Sequence, residues 1–328
     1  VIVATGCYVQ TCDEEKIKSE LKIDIAIGNN KKSNVLEAVK RYVSEGERQF
    51  DIININDKCE YEDTPIEDTL ENTRAYIKIQ DGCNQFCSYC IIPYVRGRVR
   101  SRKPAEVLAE ITRLAQEGYK EVVLTGIHLS SYGLEKKERE AGETVSEFDL
   151  TLKEKETAET TVLPLLSLIR KVQEIPGIER IRLGSLEPRI MTEAFVKELA
   201  TLPKVCPHFH LSLQSGCDAT LKRMNRKYTT TEYREAVERL RRYFVLPAIT
   251  TDIIVGFPGE TEEEFCETLR FAEEIAFSQI HIFKYSRRAG TAADRMKEQV
   301  PEPVKTERSD RLEAVERALR EQYPANFS

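Results

Sequence analysis

The chain has 328 residues, 41% of them hydrophobic, and a formal net charge of −6. That suffices for one large core or two modest ones, with no apolar run near the roughly 18 residues of a membrane helix and no signal-peptide pattern, so a cytoplasmic monomer is expected. Nine cysteines, an odd number in a long chain, argue against a small secreted disulfide scaffold and for metal binding or catalysis where thiols cluster.

"VIVATGCYVQ" opens as a strand with no element before it, which suggests a start inside a domain. "IDIAIGN" and "FDIININ" read as further short strands around a helix near 31–46. Residues 1–58 are therefore expected to form part of a small α/β domain, and the acidic, polar run at 59–73 a linker. From residue 74 the pattern changes. "RAYIKIQ", "EVVLTG", "RIRLGS", "HFHLSL", "ITTDIIVG" and "IHIFKYS" have strand character, and helical patterns such as 104–117 and 261–275 alternate with them. Pro104 suits a first helical turn, and Thr261 with Glu264 makes a capping-box pattern. Such alternation means parallel strands with right-handed crossovers. Six units are too few for a closed eight-stranded barrel, so an open, partial parallel β/α barrel over 74–328 is predicted, interrupted by a charged insertion at 134–161.

Just after the first barrel strand stands "DGCNQFCSYCIIPYVRGRVRSR", with Cys83, Cys87 and Cys90 in a C-x3-C-x2-C spacing. A structural zinc site normally wants four ligands, and no fourth Cys or His lies nearby. A four-iron cubane held by only three thiolates keeps one iron open for the amino and carboxylate groups of S-adenosylmethionine (SAM). Zinc and unligated thiols are the alternatives. Three basic clusters also follow strands: Arg96, Arg98, Arg100, Arg102 and Lys103; Lys222, Arg223, Arg226 and Lys227; and Lys284, Arg287 and Arg288. The four arginines of the first share one parity, so an extended segment would present them on one face to RNA phosphates. Solvated faces are the plainer alternative. His208 and His210 alternate on one predicted strand, as partnered imidazoles or a metal pair, and His128 is placed to touch a substrate.

The cysteine segment resembles the signature of the radical SAM methylthiotransferases. The likeness continues through "TGIHLSSYG", "RIRLGSLEP", "HFHLSLQSGCDATLKRMNRKYT", "TDIIVGFPGETEEEF" and "FKYSRRAGTAA". "LTGIHLSSYG" is most similar to the MtaB branch, which acts on N6-threonylcarbamoyladenosine at position 37 of tRNA. The resemblance implies a 4Fe–4S cluster on Cys83, Cys87 and Cys90, and a second, auxiliary one in the complete N-terminal domain. It also implies sulfur insertion at an adenine carbon, tRNA as partner, an electron donor such as a flavodoxin or ferredoxin, and a sulfur donor. Cys7 matches one auxiliary-cluster ligand; Cys12 and Cys59 do not fit the other two, which together with the family's C-terminal RNA-binding barrel are expected to lie outside this chain. Tyr89, Thr125, Gly126, Ser185, Glu187, Gln214, Ile254 and Gly256 are the expected SAM contacts, and Arg96, Arg98, Arg100, Arg102, Arg226, Lys227, Arg287 and Arg288 the expected RNA contacts. Alternatives are another methylthiolation substrate, either isopentenyladenosine in tRNA or a ribosomal protein side chain, and a non-catalytic zinc-dependent RNA-binding module.

Overall fold

A computed structural model describes residues 1–12, 14–19, 22–55, 61–62, 74–135 and 163–323. Most of the expected linker at 59–73, nearly all of the insertion at 134–161, and Cys59 lie outside the described residues. The N-terminal unit is a parallel sheet of β1 (Val3–Thr5), β2 (Ile25–Ile27) and β3 (Gln49–Asp51), in that order. Helices α1 (Cys7–Thr11), α2 (Glu14–Ser19) and α3 (Val35–Glu45) connect these strands. The opening strand is short because Gly6, at φ 102°, turns the chain directly into α1. Helix α3 stops where Gly46, at φ 70°, takes the left-handed position and donates its N–H to the Tyr42 carbonyl.

The second unit is the expected open barrel. Its strands are β4 (Arg74–Asp81), β5 (Arg100–Ser101), β6 (Glu121–Gly126), β7 (Arg180–Leu183), β8 (His208–His210), β9 (Ala248–Val255) and β10 (Gln279–Lys284). All but the two-residue β5 are parallel, in the order β4-β6-β7 and β8-β9-β10. Bridges Ile181–Val205 and Leu186–Leu211 join the two sets. β5 pairs antiparallel with the free edge of β4, and β10 pairs with β9 alone among the described strands, so the barrel stays open.

The helices of this unit are α4 (Ile92–Val95), α5 (Pro104–Gln116), α6 (Pro164–Gln173), α7 (Glu193–Leu199), α8 (Asp218–Arg223), α9 (Thr230–Tyr243), α10 (Glu262–Ile275) and α11 (Glu302–Gln322). Alternation along each strand sends one set of side chains to these helices. Ile77, Ile79, Val122, Leu124, Ile181, Leu183, Ile253 and Val255 pack there against Val107, Ile111, Leu114, Ile169, Val196, Leu240 and Phe265. Each such burial is worth roughly 1.5–3 kcal/mol. The alternate set, including Lys78, Thr125, Arg182, His210, Asp252 and His281, lines the concave side.

Arg102, just after β5, and Glu110, midway along α5, fasten the helix to the strand end as an ion pair in which each side chain is only 4% exposed. Removing one partner strands the other charge in a dry site. Glu110→Ala is expected to lower stability by about 3–5 kcal/mol, read as a drop in the urea midpoint. Most of that loss should return in the Arg102→Met, Glu110→Leu double variant.

Candidate active site

Residues 82–90 have almost no regular structure, and contacts from distant segments set their shape. Gly82 has φ +71°, and a Cβ there would stand 1.9 Å from the Arg98 carbonyl oxygen, so only glycine fits. Cys83 N–H donates to the Gly97 carbonyl at 3.0 Å. Phe86 takes φ 51°, held by Asn225 Nδ2 donating to its carbonyl at 2.8 Å. Ser88 is pinned from three sides: its N–H donates to Met224 O at 2.9 Å, its Oγ to Arg223 O at 2.8 Å, and its carbonyl accepts from Ala293 N at 2.8 Å.

Cys83 and Cys87 are buried and Cys90 is half-buried. Cys83 Sγ accepts from Gln85 N–H at 3.4 Å, and Cys87 Sγ accepts from Arg226 Nη1 at 3.2 Å. Burial pushes the Cys83 thiol up to about 12, and that of Cys90 upward as well. Such thiols ionise when a cationic centre takes the charge. Three thiols on one loop, one of them in contact with a guanidinium, are a donor set that fits a four-iron cluster with one iron left open.

Beside the triplet lies a cavity of about 150 Å³ lined by Tyr89, Gln214, Asp252, Ile254, Phe283, Lys284, Tyr285 and Ser286. Three of the expected SAM contacts, Tyr89, Gln214 and Ile254, thus meet in one place. Gln214 reaches it through φ 74°. Tyr285, which is not among the expected SAM contacts, has a buried hydroxyl with no hydrogen-bond partner among the described residues. An orphaned polar group in a cavity wall of this kind fits a polar ligand. Thr125 and Gly126 end β6 as expected. Gly126 lies against Gln80, whose Oε1 accepts from His128 N–H at 2.7 Å and whose Nε2 donates to the carbonyls of Asp81 and Gly82. Ser185 is exposed at the mouth.

Two expected SAM contacts are otherwise engaged. A Cβ on Gly256 would meet the Lys305 side chain of α11 at 2.3 Å, so this glycine serves helix packing. Glu187 is 3% exposed, with both carboxylate oxygens occupied. Oε2 meets His128 Nε2 at 3.0 Å and Gln85 Nε2 at 3.3 Å, while Oε1 accepts from Arg189 Nε at 2.5 Å. Burial alone would raise its pKa, yet the His128 and Arg189 contacts overcome burial and hold it at about 2. Glu187 therefore organises the loop through Gln85 instead of presenting a free carboxylate.

The first basic cluster also departs from expectation. The segment is not extended: α4 occupies Ile92–Val95, and Gly97 turns at φ +76°. Arg96 and Arg100 turn onto buried Asp81, at 3.3 and 3.6 Å, where Lys78 also reaches it at 2.6 Å. Arg102 is buried on Glu110. Only Arg98 of the four is exposed, its guanidinium 4.5 Å from the Phe86 ring centre. Arg226 points inward to Cys87 and Tyr228. Lys222, Lys227, Arg287 and Arg288 are exposed, with Arg287 bonded to Asp294 at 2.9 Å.

Cys7 begins α1, with Asn29 Nδ2 3.6 Å from its sulfur; the same Nδ2 donates to Val95 O at 2.6 Å. That places Cys7 at the seam with the helix that follows the triplet. Cys12 packs instead against the small core of Val9, Ile17, Ile23 and Ala26.

The depressed Glu187 pKa makes stability depend on pH. The carboxylate's contribution is complete above its ordinary value near 4.5 and is lost as pH falls towards about 2. Glu187→Gln should be less stable by about 3 kcal/mol at neutral pH. The gap to the parent, followed by urea unfolding at stepped pH, should close between those two values.

Residues 77–272 match the family model of the Radical SAM superfamily. The threonylcarbamoyladenosine tRNA methylthiotransferase MtaB of Bacillus subtilis is 38% identical across 100% of this chain and 67% of its own length. Its Aquifex aeolicus counterpart is 36% identical over 98% of this chain and 72% of its own length. A tRNA-2-methylthio-N(6)-dimethylallyladenosine synthase of Thermoanaerobacter sp. is 39% identical over 95% of this chain, which spans 61% of that relative. In fold, the chain is similar to the cobalamin-dependent S-adenosylmethionine radical enzyme OxsB, with a TM-score of 0.53 at 13% identity, covering 98% of this chain and 43% of that one. Among the described residues no helix is long and apolar enough to cross a membrane. The chain belongs to the radical SAM superfamily and, within it, to the methylthiotransferases, enzymes whose cofactors are a 4Fe–4S cluster and SAM.

Proposed function

We propose that this chain carries the SAM-cleaving barrel of a cytoplasmic enzyme that adds a methylthio group to adenine C2 of N6-threonylcarbamoyladenosine at position 37 of tRNA. The observation that carries the reading is the cysteine triplet fastened across the barrel mouth beside the cavity of Tyr89, Gln214 and Ile254. Cys83, Cys87 and Cys90 would hold the cluster, which with SAM supplies one-electron reductive chemistry and hydrogen-atom abstraction. Arg226 donates to the Cys87 sulfur and would bring positive charge beside a cluster held there. Tyr89, Gln214 and Ile254 wall the space for SAM, with the polar groups of Thr125, Gly126 and Ser185 at neighbouring strand ends. Cys7 is assigned to an auxiliary cluster that positions sulfur. A low-potential electron donor of the flavodoxin or ferredoxin class and a sulfur donor complete the partners.

Relatives named for threonylcarbamoyladenosine support that substrate. A second reading, the dimethylallyl-modified adenosine, draws on the equally similar relatives that carry that name. Mass spectrometry of tRNA nucleosides from cells lacking the gene separates them by which modified adenosine loses its methylthio group. Replacing Cys83, Cys87 or Cys90 by Ala should reduce 5′-deoxyadenosine formation under dithionite to background, and parental yields from all three variants would sink the assignment.

We assign RNA contact to the exposed cations, Arg98 among them, because Arg96, Arg100 and Arg102 are engaged with buried carboxylates. Lys227→Ala with Arg288→Ala should flatten the salt dependence of tRNA binding by about 0.7–0.9 per lost phosphate contact. Arg100→Ala, which removes a buried partner of Asp81, should leave that slope unchanged.

A further inference from the structure

On the concave wall three adjacent parallel strands bring together three groups to which the proposed reaction assigns no role, one of them, Asp252, at the edge of the cavity. His210 on β8, Asp252 on β9 and His281 on β10 each offer a ligand atom, and those atoms all lie within 4.8 Å of one another. The register explains the meeting. His210 stands opposite Thr250 and Asp252 opposite His281, so two residues of one face of β9 meet an imidazole from each flanking strand. The two rings are 5.8 Å apart between centres. His210 Nε2 lies 3.2 Å from Asp252 Oδ2.

We propose that His210, Asp252 and His281 form a binding site for a divalent transition metal of the zinc class. Two imidazoles and one carboxylate are a donor set such metals take with one position left open to solvent or substrate. The second sphere is also present. Thr250 Oγ1 lies 3.0 Å from His210 Nδ1, and Thr250 is buried. In the tautomer in which that hydroxyl accepts from Nδ1–H, the Nε2 lone pair faces the Asp252 carboxylate and is free to ligate a cation beside it. The open position would face the concave space next to the cavity that Asp252 also lines, and an oxygen donor such as a carboxylate or water would complete the shell.

The test uses the holoprotein, reconstituted with iron and sulfide, and zinc ion as the probe, with bound metal counted after equilibrium dialysis. One zinc per chain is expected beyond the iron. His281→Ala removes an exposed ligand without touching the core and should weaken zinc binding at least tenfold. Thr250→Val keeps all three ligands and should still lose about 10–100-fold through the second sphere. Iron content should be unchanged in both variants. Zinc held equally by the parent and His281→Ala, or no zinc at all, overturns the site. So does zinc that disappears in the Cys83→Ala variant but persists in His281→Ala, since the triplet would then be the binder.

Discussion

The candidate site depends on how an irregular nine-residue loop is kept in one shape. Residues 82–90 have no ladder of their own, so the backbone groups that a strand or helix would satisfy internally must find partners elsewhere. Those partners come from the opposite side of the mouth: Arg223, Met224 and Asn225 beyond β8, and Ala293 beyond β10. The loop is therefore a tie across the open barrel, and the positions of Cys83, Cys87 and Cys90 follow from the closure of the strands beneath them. Pinning of this kind holds functional groups to the tolerance that catalysis requires.

Charge is handled in the same region by burial and pairing. Asp81, at the end of β4, takes Lys78, Arg96 and Arg100; burial would raise its pKa, but Lys78, Arg96 and the Gly82 N–H outweigh it and keep it ionised. Glu187 does the same on the other side through His128, Arg189 and Gln85. Both carboxylates lie within a few residues of a thiol-bearing segment or its direct partners. Their cations are thus spent on the protein's own anions, leaving Arg226 as the guanidinium in hydrogen-bond contact with a triplet sulfur.

Local patterns in the sequence carry the strands and the triplet. Alternation in "RAYIKIQ" or "ITTDIIVG" marks strands because one face must meet helices. The C-x3-C-x2-C spacing marks a metal loop because three thiols that close together rarely serve packing. What depends on distant partners is not legible in this way. Parity put Arg96, Arg98, Arg100 and Arg102 on one face, but a helical turn and the left-handed Gly97 break the extended run. Arg226 reads as surface charge until the fold brings Cys87 to it. Glu187 reads as a free carboxylate until His128 and Arg189 close on it. His281 stood alone in its segment, and its neighbours on β8 and β9 are visible only in the sheet register.

The openness of the barrel gives these placements their use. With β4 edged by a two-residue antiparallel strand and β10 paired on one side among the described strands, the sheet does not close on itself. A closed barrel would fill its interior with side-chain layers. Here the concave wall is lined by Lys78, Thr125, Arg182, His210, Asp252 and His281, groups that remain there because water or a ligand reaches them. The small N-terminal sheet meets this region through Asn29, which touches both Cys7 and the Val95 carbonyl. Asn29 is thus one of the contacts that hold the Cys7 thiol against the segment following the triplet, together with Ile55, which packs against Gly97.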